Sequence, residues 1–491
     1  MSATYPLFDN AAGKALDQHA TTALGGDGYL LMQRAGQAAW QCLLQHWPQA
    51  RRLVVVCGPG NNGGDGYVLA RLARRAGRQV TVVHLQAHSP RSGLAQRACT
   101  DYLGVGGQVE WFQHELPDAD VVVDALFGIG LDRAPDAASS RLIDAINSQP
   151  APVLALDVPS GVDAQRGSVA TVAVVASCTL QFIGQHIGLR TGAALEYGGA
   201  LAFDDLDVPV QVFAQVAAQA TLLEPEFISR CLLARRRNTH KGESGRVVCV
   251  GGGHGTAGAV VLAAEAALRS GAGLVAVATR ERHLPAILAR RPEIMAHGIE
   301  SGDDLPPLLA TADCIALGPG LGQGEWASGL HALTMASGKP LVLDADALNL
   351  LAKRPAPLVD AILTPHPGEA ARLLDSDTSS IQRDRFAAAQ ALVERFQSVI
   401  VLKGAGTIIA APGQLPRVIN AGNPGMAVGG MGDLLTGVIA ALRGQGLAAF
   451  EAASAGALIH SLAADEAAAK EGERGLLPSD LLPWLRYWVN H

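Results

Sequence analysis

The fold is decided near the N-terminus by Arg52-Leu-Val-Val-Val-Cys57, followed at once by Gly58-Pro-Gly-Asn61-Asn62-Gly63-Gly64-Asp65-Gly66. The first six residues form a continuous apolar run after Arg52, which is typical of a strand buried on both faces of a sheet. We expect a helix over Tyr67–Ala76 and a second strand over Gln79–Leu85. Strand, glycine loop, helix and strand make a right-handed βαβ unit, which predicts a ligand site at the loop.

Two further apolar strands of this half end in acidic residues. Asp124 follows Val121-Val-Val, and Asp157 follows Val153-Leu-Ala-Leu with Ser160 soon after. The carboxyl ends of parallel strands meet at one edge of a sheet, so we expect Asn62, Asp124, Asp157 and Ser160 in one crevice. Such hard oxygen groups suit a cation, although a turn or cap role is the alternative for each acid. The loop is not GxGxxG and no acid ends the second strand, so an ordinary hydride-transfer NAD site is not expected.

The second half of the chain restarts with the same layout but a different sequence. After a boundary near residue 220 we predict a strand over Arg246–Val250, a glycine loop over Gly251–Ala259 and a helix over Val260–Ser270. Further apolar strands follow, each ending in a polar or glycine loop. We therefore predict an α/β fold of two three-layer αβα domains, residues 1–220 and 221–491, the first Rossmann-like, with the loops of the second sheet gathered at one edge.

The most glycine-rich of these loops is Asn420-Ala-Gly-Asn-Pro-Gly-Met-Ala-Val-Gly-Gly-Met-Gly-Asp433. It leads into a predicted helix, Asp433–Leu442, whose N-terminal N–H groups suit a phosphate or a developing anion. Asp433 at that mouth is placed to take a proton from a hydroxyl, while a plain helix cap is the alternative. Lys403 follows a strand and can reach a phosphate, and His366 between two prolines is a turn residue or a substrate contact.

The composition excludes several classes of protein. Of 491 residues 49% are hydrophobic and 17% charged, and the net charge is −7, which argues for a packed globular protein that binds no nucleic acid. The longest apolar run, Ala257–Thr279, carries Glu265 and Arg269, so we expect no membrane span. The N-terminus lacks the pattern of a signal peptide. The seven cysteines include no CxxC, which predicts reduced thiols in the cytoplasm, without a zinc site or a disulfide frame.

Taken together, these motifs identify a family. About residues 8–215 resemble the NAD(P)H-hydrate epimerase domain through Asn61-Asn-Gly-Gly-Asp65, Asp124-Ala-Leu-Phe-Gly-Ile-Gly-Leu and Asp157-Val-Pro-Ser-Gly-Val-Asp. About residues 225–488 resemble the ADP-dependent NAD(P)H-hydrate dehydratase domain, which has a ribokinase-like fold. The matching motifs there are His240-Lys-Gly, Gly255-Thr-Ala-Gly-Ala, Gly318-Pro-Gly-Leu-Gly, Asp344-Ala-Asp-Ala-Leu, Thr364-Pro-His-Pro-Gly-Glu, Lys403-Gly-Ala-Gly-Thr and Gly430-Met-Gly-Asp433.

The resemblance implies a site in each domain. In the first, the hydrate contacts correspond to Asn61, Asn62, Gly63, Gly64, Asp65, Gly128, Ile129, Gly130, Leu131, Asp132, Arg133, Ala134 and Asp157. A potassium ion is held there by residues matching Asn62, Asp124 and Ser160. In the second, the hydrate contacts correspond to Ala259, Gly320, Gly322, His366 and Asp433, and the nucleotide contacts to Lys403, Gly404, Ala405, Gly406, Thr407 and Gly432.

The implied activity is repair of hydrated NADH and NADPH. The first domain interconverts the R and S hydrates, and the second dehydrates the S form while consuming a nucleotide, which is ADP in bacterial members and ATP in animal members. We expect Asp157 and Asp433 to be catalytic, Mg²⁺ to accompany ADP with Glu369 near its water shell or in a surface ion pair, and the chain to form a homo-oligomer. Two rival classes are a ribokinase-like small-molecule kinase with a fused nucleotide-binding module, and a non-catalytic nucleotide sensor.

Overall fold

A computed structural model describes residues 3–130 and 133–491 of the chain. Two compact units are present, one comprising Pro6–Ala220 and the other Thr221–His491 together with residues 3–5. We call them the N-terminal unit and the C-terminal unit. The domain boundaries expected from the sequence place residues 3–5 in the first domain, whereas the structure places them in the C-terminal unit. Ala3 is fully buried in the core that contains Phe227, and its carbonyl accepts a hydrogen bond from the Glu224 N–H at 3.1 Å.

The N-terminal unit is a sheet between helices. Its strands are β1 (Thr4–Phe8, which begins in the other unit), β2 (Arg52–Cys57), β3 (Gln79–His84), β4 (Gln108–Trp111), β5 (Val121–Ala125), β6 (Val153–Leu156), β7 (Cys178–Phe182), β8 (Gln185–His186) and β9 (Ala200–Asp204). Its helices are α1 (Asn10–Ala23), α2 (Gly28–His46), α3 (Asn61–Arg75), α4 (Gly93–Gly104), α5 (Ala137–Asn147), α6 (Ala194–Tyr197) and α7 (Val210–Phe213).

The described strands of this sheet run in the order β4-β3-β2-β5-β6-β7-β9, and every pair is parallel. Because β2 lies between β3 and β5, the strand order reverses beside it. Open parallel sheets bind ligands at such a reversal, outside the carboxyl ends of the strands. The largely apolar strands separate two buried layers of side chains, one under the helices of each face. The predicted Rossmann-like arrangement is confirmed.

The C-terminal unit contains a longer sheet. Its strands are β10 (Ala220–Leu223), β11 (Arg246–Val250), β12 (Leu274–Thr279), β13 (Met295–Gly298), β14 (Cys314–Leu317), β15 (Leu341–Leu343), β16 (Ala361–Leu363), β17 (Val399–Leu402), β18 (Thr407–Ala410) and β19 (Arg417–Ile419). Its helices are α8 (Glu226–Cys231), α9 (Ala257–Arg269), α10 (Leu284–Arg290), α11 (Leu305–Ala310), α12 (Glu325–Met335), α13 (Asp346–Lys353), α14 (Pro367–Leu374), α15 (Thr378–Arg383), α16 (Arg385–Phe396), α17 (Met431–Gly444), α18 (Ala449–Glu471) and α19 (Leu482–Trp488).

In this sheet the described strands from β13 to β17 are parallel, whereas β18 runs antiparallel to both β17 and β19. The sheet therefore departs from a parallel arrangement at β18. Gly404 and Gly406, with φ of 133° and 66°, turn the chain back after β17, a backbone path that side-chain-bearing residues rarely take. Helices α9, α17 and α18 contribute to the core on one face, and α11–α16 to the core on the other.

Helix starts are the other difference from the sequence-based expectation. Helices α3, α9 and α17 each begin two to six residues earlier than the predicted Tyr67, Val260 and Asp433. The glycines read as loop residues form the first turns. In α3 and α17 they allow a close approach of other residues, whereas a Cβ added to Gly258 of α9 would meet no atom within 4 Å. Of the helices in the described residues, none is both long and apolar enough to cross a membrane.

Candidate functional sites

The first turn of α3 forms the floor of the site in the N-terminal unit. A Cβ added to Gly63 would lie 2.0 Å from the Gly58 carbonyl oxygen, and one added to Gly66 would lie 2.6 Å from the Ala125 Cβ. Glycine is therefore required for α3 to approach β2 and β5 so closely. Gly63 and Gly64 are buried by this packing and do not line the adjacent cavity. Close packing therefore explains why glycine stands at Gly63 and Gly64, which were predicted as hydrate contacts, without any contact with a ligand.

Asn62, Asp124 and Ser160, which the sequence assigned to a cation, lie together. Ser160 donates hydrogen bonds from its N–H and hydroxyl to the Asp124 carboxylate at 2.8 and 2.7 Å. Asn62 Nδ2 donates to the Phe127 carbonyl oxygen at 2.9 Å, and Phe127 N–H donates to Ser160 Oγ at 2.8 Å. These contacts join the ends of β5 and β6 to the start of α3 around one group of oxygen atoms.

The electrostatics of this oxygen group suit a cation. Asp124 is fully buried, and burial raises its pKa to about 6 against the opposing effect of its hydrogen bonds. The buried Oδ1 of Asn62 has no hydrogen-bond partner among the described atoms. A buried carboxylate beside an unsatisfied amide oxygen is costly unless a positive charge is nearby. The residues present therefore fit an oxygen-ligated ion of low charge.

Next to this group lies an open cavity of about 640 Å³. Of the predicted hydrate contacts it is lined by Asn61, Asn62, Asp65, Gly128, Ile129, Gly130, Arg133, Ala134 and Asp157. Leu131 and Asp132 lie outside the described residues. The volume and polar lining are within the range of small-molecule sites. The structure thus brings most of the predicted contacts to one surface.

Asp157 is the most constrained of these residues. Its φ is 67°, a left-handed conformation that is uncommon for a residue with a side chain. Its Oδ1 lies 2.5 Å from Nε2 of His186, and its Oδ2 accepts a hydrogen bond from the Ile129 N–H at 3.3 Å. His186 is buried, and its Nδ1 has no partner among the described atoms. Strained backbone and a buried carboxylate–imidazole pair are typical of a functional centre.

Sequence reasoning missed His186 and also Asp17, which lines the same cavity from α1. The side chain of Asp17 is reached by solvent from the cavity, yet desolvation by the surrounding wall, together with the charge of Asp157, raises its pKa to about 7. Burial and the charges of Asp157 and Asp17 also raise the pKa of Asp65 well above its usual value. Three acids and a histidine thus share one cavity, and two of the acids, Asp17 and Asp65, have raised pKa values.

The site in the C-terminal unit is built on the start of α17. Gly430 precedes the helix with φ of 100°, and the Leu434 N–H makes the first helical hydrogen bond, to Gly430 O, at 3.0 Å. The N–H groups of Met431, Gly432 and Asp433 lie ahead of that bond, at the positive end of the helix dipole. A Cβ added to Gly432 would lie 3.1 Å from Lys403 Nζ and 3.3 Å from Asp344 Oδ2. The helix start therefore faces a lysine and a carboxylate.

Lys403 and Asp344 form a buried ion pair, with Nζ 2.6 Å from Oδ1. Burial by itself raises the pKa of Asp344, but the Lys403 ammonium and hydroxyl hydrogen bonds, including one from Thr364 at 2.9 Å, outweigh it and hold the pKa below its usual value. Burial by itself lowers the pKa of Lys403. The carboxylates of Asp344 and of Glu369, which is 3.8 Å away, outweigh burial and raise the pKa above its usual value. Both groups of the pair are held charged.

Asp433 behaves in the opposite way. It lies in the first turn of α17, and burial, followed by repulsion from Asp344, raises its pKa to about 7, although Lys403 opposes the shift. The pKa of Asp433 is thus raised while that of its neighbour Asp344 is lowered. This is the pattern that separates a charge-stabilising carboxylate from a proton-transferring one.

His366 and Glu369 begin α14 as a capping pair. His366 Nδ1 accepts a hydrogen bond from the Gly368 N–H at 3.0 Å, and the His366 N–H donates to Glu369 Oε2 at 2.8 Å. Burial, with the charge of Lys403, lowers the pKa of His366, and the accepted hydrogen bond assigns the ring proton to Nε2, on the exposed side. Glu369 is 4% exposed, which excludes the surface ion pair. The cap explains the turn role of His366, and its Nε2 lies 3.5 Å from Oε1 of Glu369.

The predicted nucleotide loop, Lys403–Thr407, is tied down from below by a residue that sequence reasoning missed. Arg385 is fully buried, and one guanidinium nitrogen donates to the carbonyl oxygens of Leu402 at 3.1 Å and Lys403 at 3.2 Å. Thr407 Oγ1 donates to the Gly404 oxygen at 3.1 Å. Ala405 and Gly406 belong to the same turn between β17 and β18. The loop is thus held rigidly, with Lys403 directed towards α17.

The other predicted hydrate contacts lie at the ends of β11 and β14. Ala259 is in the partly exposed first turn of α9. The Gly320 oxygen accepts a hydrogen bond from Thr256 Oγ1 at 2.7 Å, and the Gly322 N–H donates to Asp346 Oδ2 at 2.8 Å. Gly322 and Asp346 both line a cavity of about 690 Å³, and the charge of Asp346 contributes to the raised pKa of Asp433. Asp346 therefore links this cavity electrostatically to the helix start.

Two family models match the chain in succession. Residues 28–188 match the model described as "YjeF-related protein N-terminus", and residues 247–486 match the model described as "NAD(P)H-hydrate dehydratase". The first match lies within the N-terminal unit and the second within the C-terminal unit. Each therefore coincides with one of the two candidate sites.

Relatives with both parts are also found. The chain is 47% identical to the bifunctional NAD(P)H-hydrate repair enzyme Nnr of Coxiella burnetii over 485 residues, covering 99% of each chain. It is 45% identical to the protein of the same name from Escherichia coli, covering 96% of this chain and 92% of the relative. A crystal structure of the ADP/ATP-dependent NAD(P)H-hydrate dehydratase of Bacillus subtilis, co-crystallised with ATP and Mg²⁺, matches 54% of this chain and 96% of its own, with 32% identity and a TM-score of 0.50.

Proposed function

The chain belongs to the family of bifunctional NAD(P)H-hydrate repair enzymes, and from this we propose how its two sites divide the chemistry. It is an NAD(P)H-hydrate repair enzyme with an epimerase domain followed by a dehydratase domain. Hydration adds water across a double bond of the reduced nicotinamide ring and gives R and S epimers. The epimerase interconverts them, and the dehydratase removes water from the S form and restores the cofactor.

For the dehydratase we propose ADP as the co-substrate and Asp433 as the general base. The observation that carries this role is the raised pKa of Asp433, about 7, at the start of α17 beside Lys403. Asp433 takes the proton of the hydrate hydroxyl, whose oxygen attacks the terminal phosphorus of ADP, and AMP leaves. The ring-nitrogen lone pair then expels the phosphate from carbon, since phosphate is a far better leaving group than hydroxide. Loss of a proton from the adjacent ring carbon to water restores the double bond.

The neighbouring groups support this reaction by charge and position. Lys403 and the N–H groups of Gly432 and its neighbours face the region where the phosphoryl charge develops, which is how helix starts and lysines stabilise phosphoryl transfer. The carboxylates of Asp344 and Glu369 are the groups that would hold Mg²⁺ together with nucleotide phosphates, and the ion would neutralise their charge. Arg385 keeps the Lys403–Thr407 loop in place beneath the nucleotide.

For the epimerase we propose that Asp157 moves the proton or hydroxyl at the hydrated carbon, paired with His186. The short contact of 2.5 Å between their side chains supports this role. Asn62, Asp124 and Ser160 would hold K⁺, whose charge fixes the diphosphate of the substrate near Arg133 and the start of α3. The unpartnered Asn62 Oδ1 and the raised pKa of Asp124 support that ion.

One assay tests both roles. The purified chain is given a mixture of R and S hydrates of NADH with ADP or with ATP, and both epimers and the nucleotide products are followed by chromatography. We expect both epimers to disappear with ADP, yielding AMP, phosphate and NADH in equal amounts. Loss of the S form alone would show that the N-terminal site is idle, and equal rates with ATP would overturn the choice of ADP.

The small-molecule kinase is not favoured, since relatives with both domains match nearly the whole chain. The same assay separates a repair enzyme from a small-molecule kinase, because a kinase would leave a stable phosphorylated alcohol. Assembly as a homo-oligomer and a cytoplasmic location stay predictions, and sedimentation of the full chain tests the first.

A further inference from the structure

Two cysteines and a histidine meet inside the N-terminal unit, away from the cavity residues described above. Cys42 and His46 lie on α2, four residues apart and so on one face of the helix. Cys178 begins β7. The Sγ atoms of Cys42 and Cys178 are 4.0 Å apart, and Cys42 Sγ is 3.7 Å from His46 Nδ1. The three ligand atoms all lie within 4.8 Å of one another, a grouping that no other His, Cys, Asp or Glu set in residues 3–130 and 133–491 matches.

Two of the three spacings approach the edges of a metal tetrahedron, and the third pair of ligand atoms lies within 4.8 Å. Bond lengths of about 2.3 Å for Zn–S and about 2.1 Å for Zn–N give S···S near 3.8 Å and S···N near 3.6 Å at tetrahedral angles. The observed 4.0 and 3.7 Å exceed these by a few tenths of an ångström. A disulfide, by contrast, requires the two sulfurs to approach to about 2.0 Å. The arrangement is therefore closer to a metal site than to a cystine.

The surroundings set the chemical class of the ion. Cys42 and Cys178 are 7% and 1% exposed and belong to an apolar core, while His46 is exposed. Two thiolates and an imidazole select a soft cation over Mg²⁺ or K⁺.

We propose that Cys42, His46 and Cys178 form a site for one Zn²⁺ ion, with a water molecule at the fourth position on the exposed side of His46. Binding releases the protons of the two thiols. His46 Nδ1 now lies 2.9 Å from the Cys42 carbonyl oxygen. On binding, the neutral ring carries its proton on Nε2, and the lone pair of Nδ1 takes the ion in place of that contact. The carbonyl loses little, because it faces the next turn of α2, where helical N–H groups donate.

Binding of Zn²⁺ would couple this cysteine–histidine site to the cavity of the N-terminal unit. Helix α2 supplies Leu31 and Met32 to the cavity wall, and the segment after β7 supplies Gly184 and His186. An ion joining α2 to β7 fastens these two walls. Zinc binding should therefore stabilise the folded N-terminal unit by an amount that grows with the logarithm of the ratio of free ion to its dissociation constant.

The experiment uses the untagged full chain, reduced and stripped of metal with a chelator, and titrates it with Co²⁺. Cobalt bound to thiolate gives a charge-transfer absorption in the near ultraviolet, which oxygen-ligated cobalt does not. We expect the band to saturate at one equivalent per chain and to be displaced by Zn²⁺. The Cys178→Ser variant should lose the band, whereas Cys231→Ser, at a partly buried cysteine of the C-terminal unit, should retain it.

The His46→Gln variant changes an exposed side chain and so keeps the fold intact. Its affinity for Zn²⁺, from competition with Co²⁺, should fall by about tenfold or more, since even groups that only support a ligand cost that much when removed. The Zn²⁺-induced rise in Tm should disappear in Cys178→Ser and persist in Cys231→Ser. The proposal is overturned if wild type shows no band at one equivalent, if the band survives in Cys178→Ser, or if His46→Gln binds as tightly as wild type.

Discussion

Replacing the proposed base by its neutral amide, Asp433→Asn, should lower activity while raising stability. Burial moves the pKa of Asp433 from 3.8 to about 7, so the folded chain disfavours the ionised carboxylate. At about 1.36 kcal/mol per pKa unit this is at most about 4 kcal/mol, less where solvent reaches the group. The penalty is fully present above pH 7 and vanishes below pH 4, where the carboxyl is protonated in both states. The Asn variant should thus melt higher than wild type at pH 8 and equally at pH 4.

Its activity should move the other way. Loss of a general base costs about two to four orders of magnitude in rate, measured as nucleotide-dependent return of reduced-nicotinamide absorbance from the S hydrate. In wild type, kcat/KM should fall about tenfold per pH unit below pH 7, because the protonated carboxyl cannot accept the hydroxyl proton. The variant should lack this acid limb.

A matched control is Asp375→Asn, which makes the same exchange at an exposed left-handed residue, a conformation that asparagine tolerates. It should change neither rate nor melting. An Asp433→Asn enzyme with a near-normal rate would refute the role of base. A variant that is inactive and also less stable at pH 8 would refute the electrostatic argument, since it would mean that the carboxylate supports the fold.

Three further outcomes are expected. K⁺ should raise Tm more than Na⁺ does, and the difference should fade as pH drops through about 6, the pKa of Asp124; a K⁺ effect that is constant from pH 5 to 8 would contradict the site. Asp157→Asn, preferred to Ala because φ is 67°, should slow R-to-S interconversion by about two orders of magnitude or more with dehydration intact, and His186→Gln should reproduce the loss; unchanged interconversion in both variants removes the pair from the mechanism. Lys403→Met should lower the free energy of unfolding by about 3 to 5 kcal/mol, because Asp344 is left buried and unpaired, as denaturant titration will measure; the added Asp344→Asn exchange should restore most of it.

The sequence anticipated those parts of the sites that follow from strand ends. Asn62, Asp124 and Ser160 could be grouped because parallel strands bring their carboxyl ends to one edge, whatever the details of packing. Asp433 could be singled out because a glycine-rich run opens a helix beside it. These inferences need only local pattern and one rule of topology. They fail at boundaries, as at the starts of α3, α9 and α17, since a glycine in the first turn of a helix looks like a glycine in a loop.

What the sequence determined by itself is therefore the alternation of apolar strands with helices and the residues that end the strands at each site. The tertiary structure alone decided the pairing of Asp157 with His186, the support of the Lys403 loop by Arg385, and the meeting of Cys178 with α2, 136 residues away. It also decided that the pKa of Asp433 is raised while the pKa of Asp344 is lowered. The physical reason is that hydrophobic periodicity is a local property of the chain. Burial, charge–charge distance and ligand geometry, in contrast, arise only when segments distant in sequence pack together.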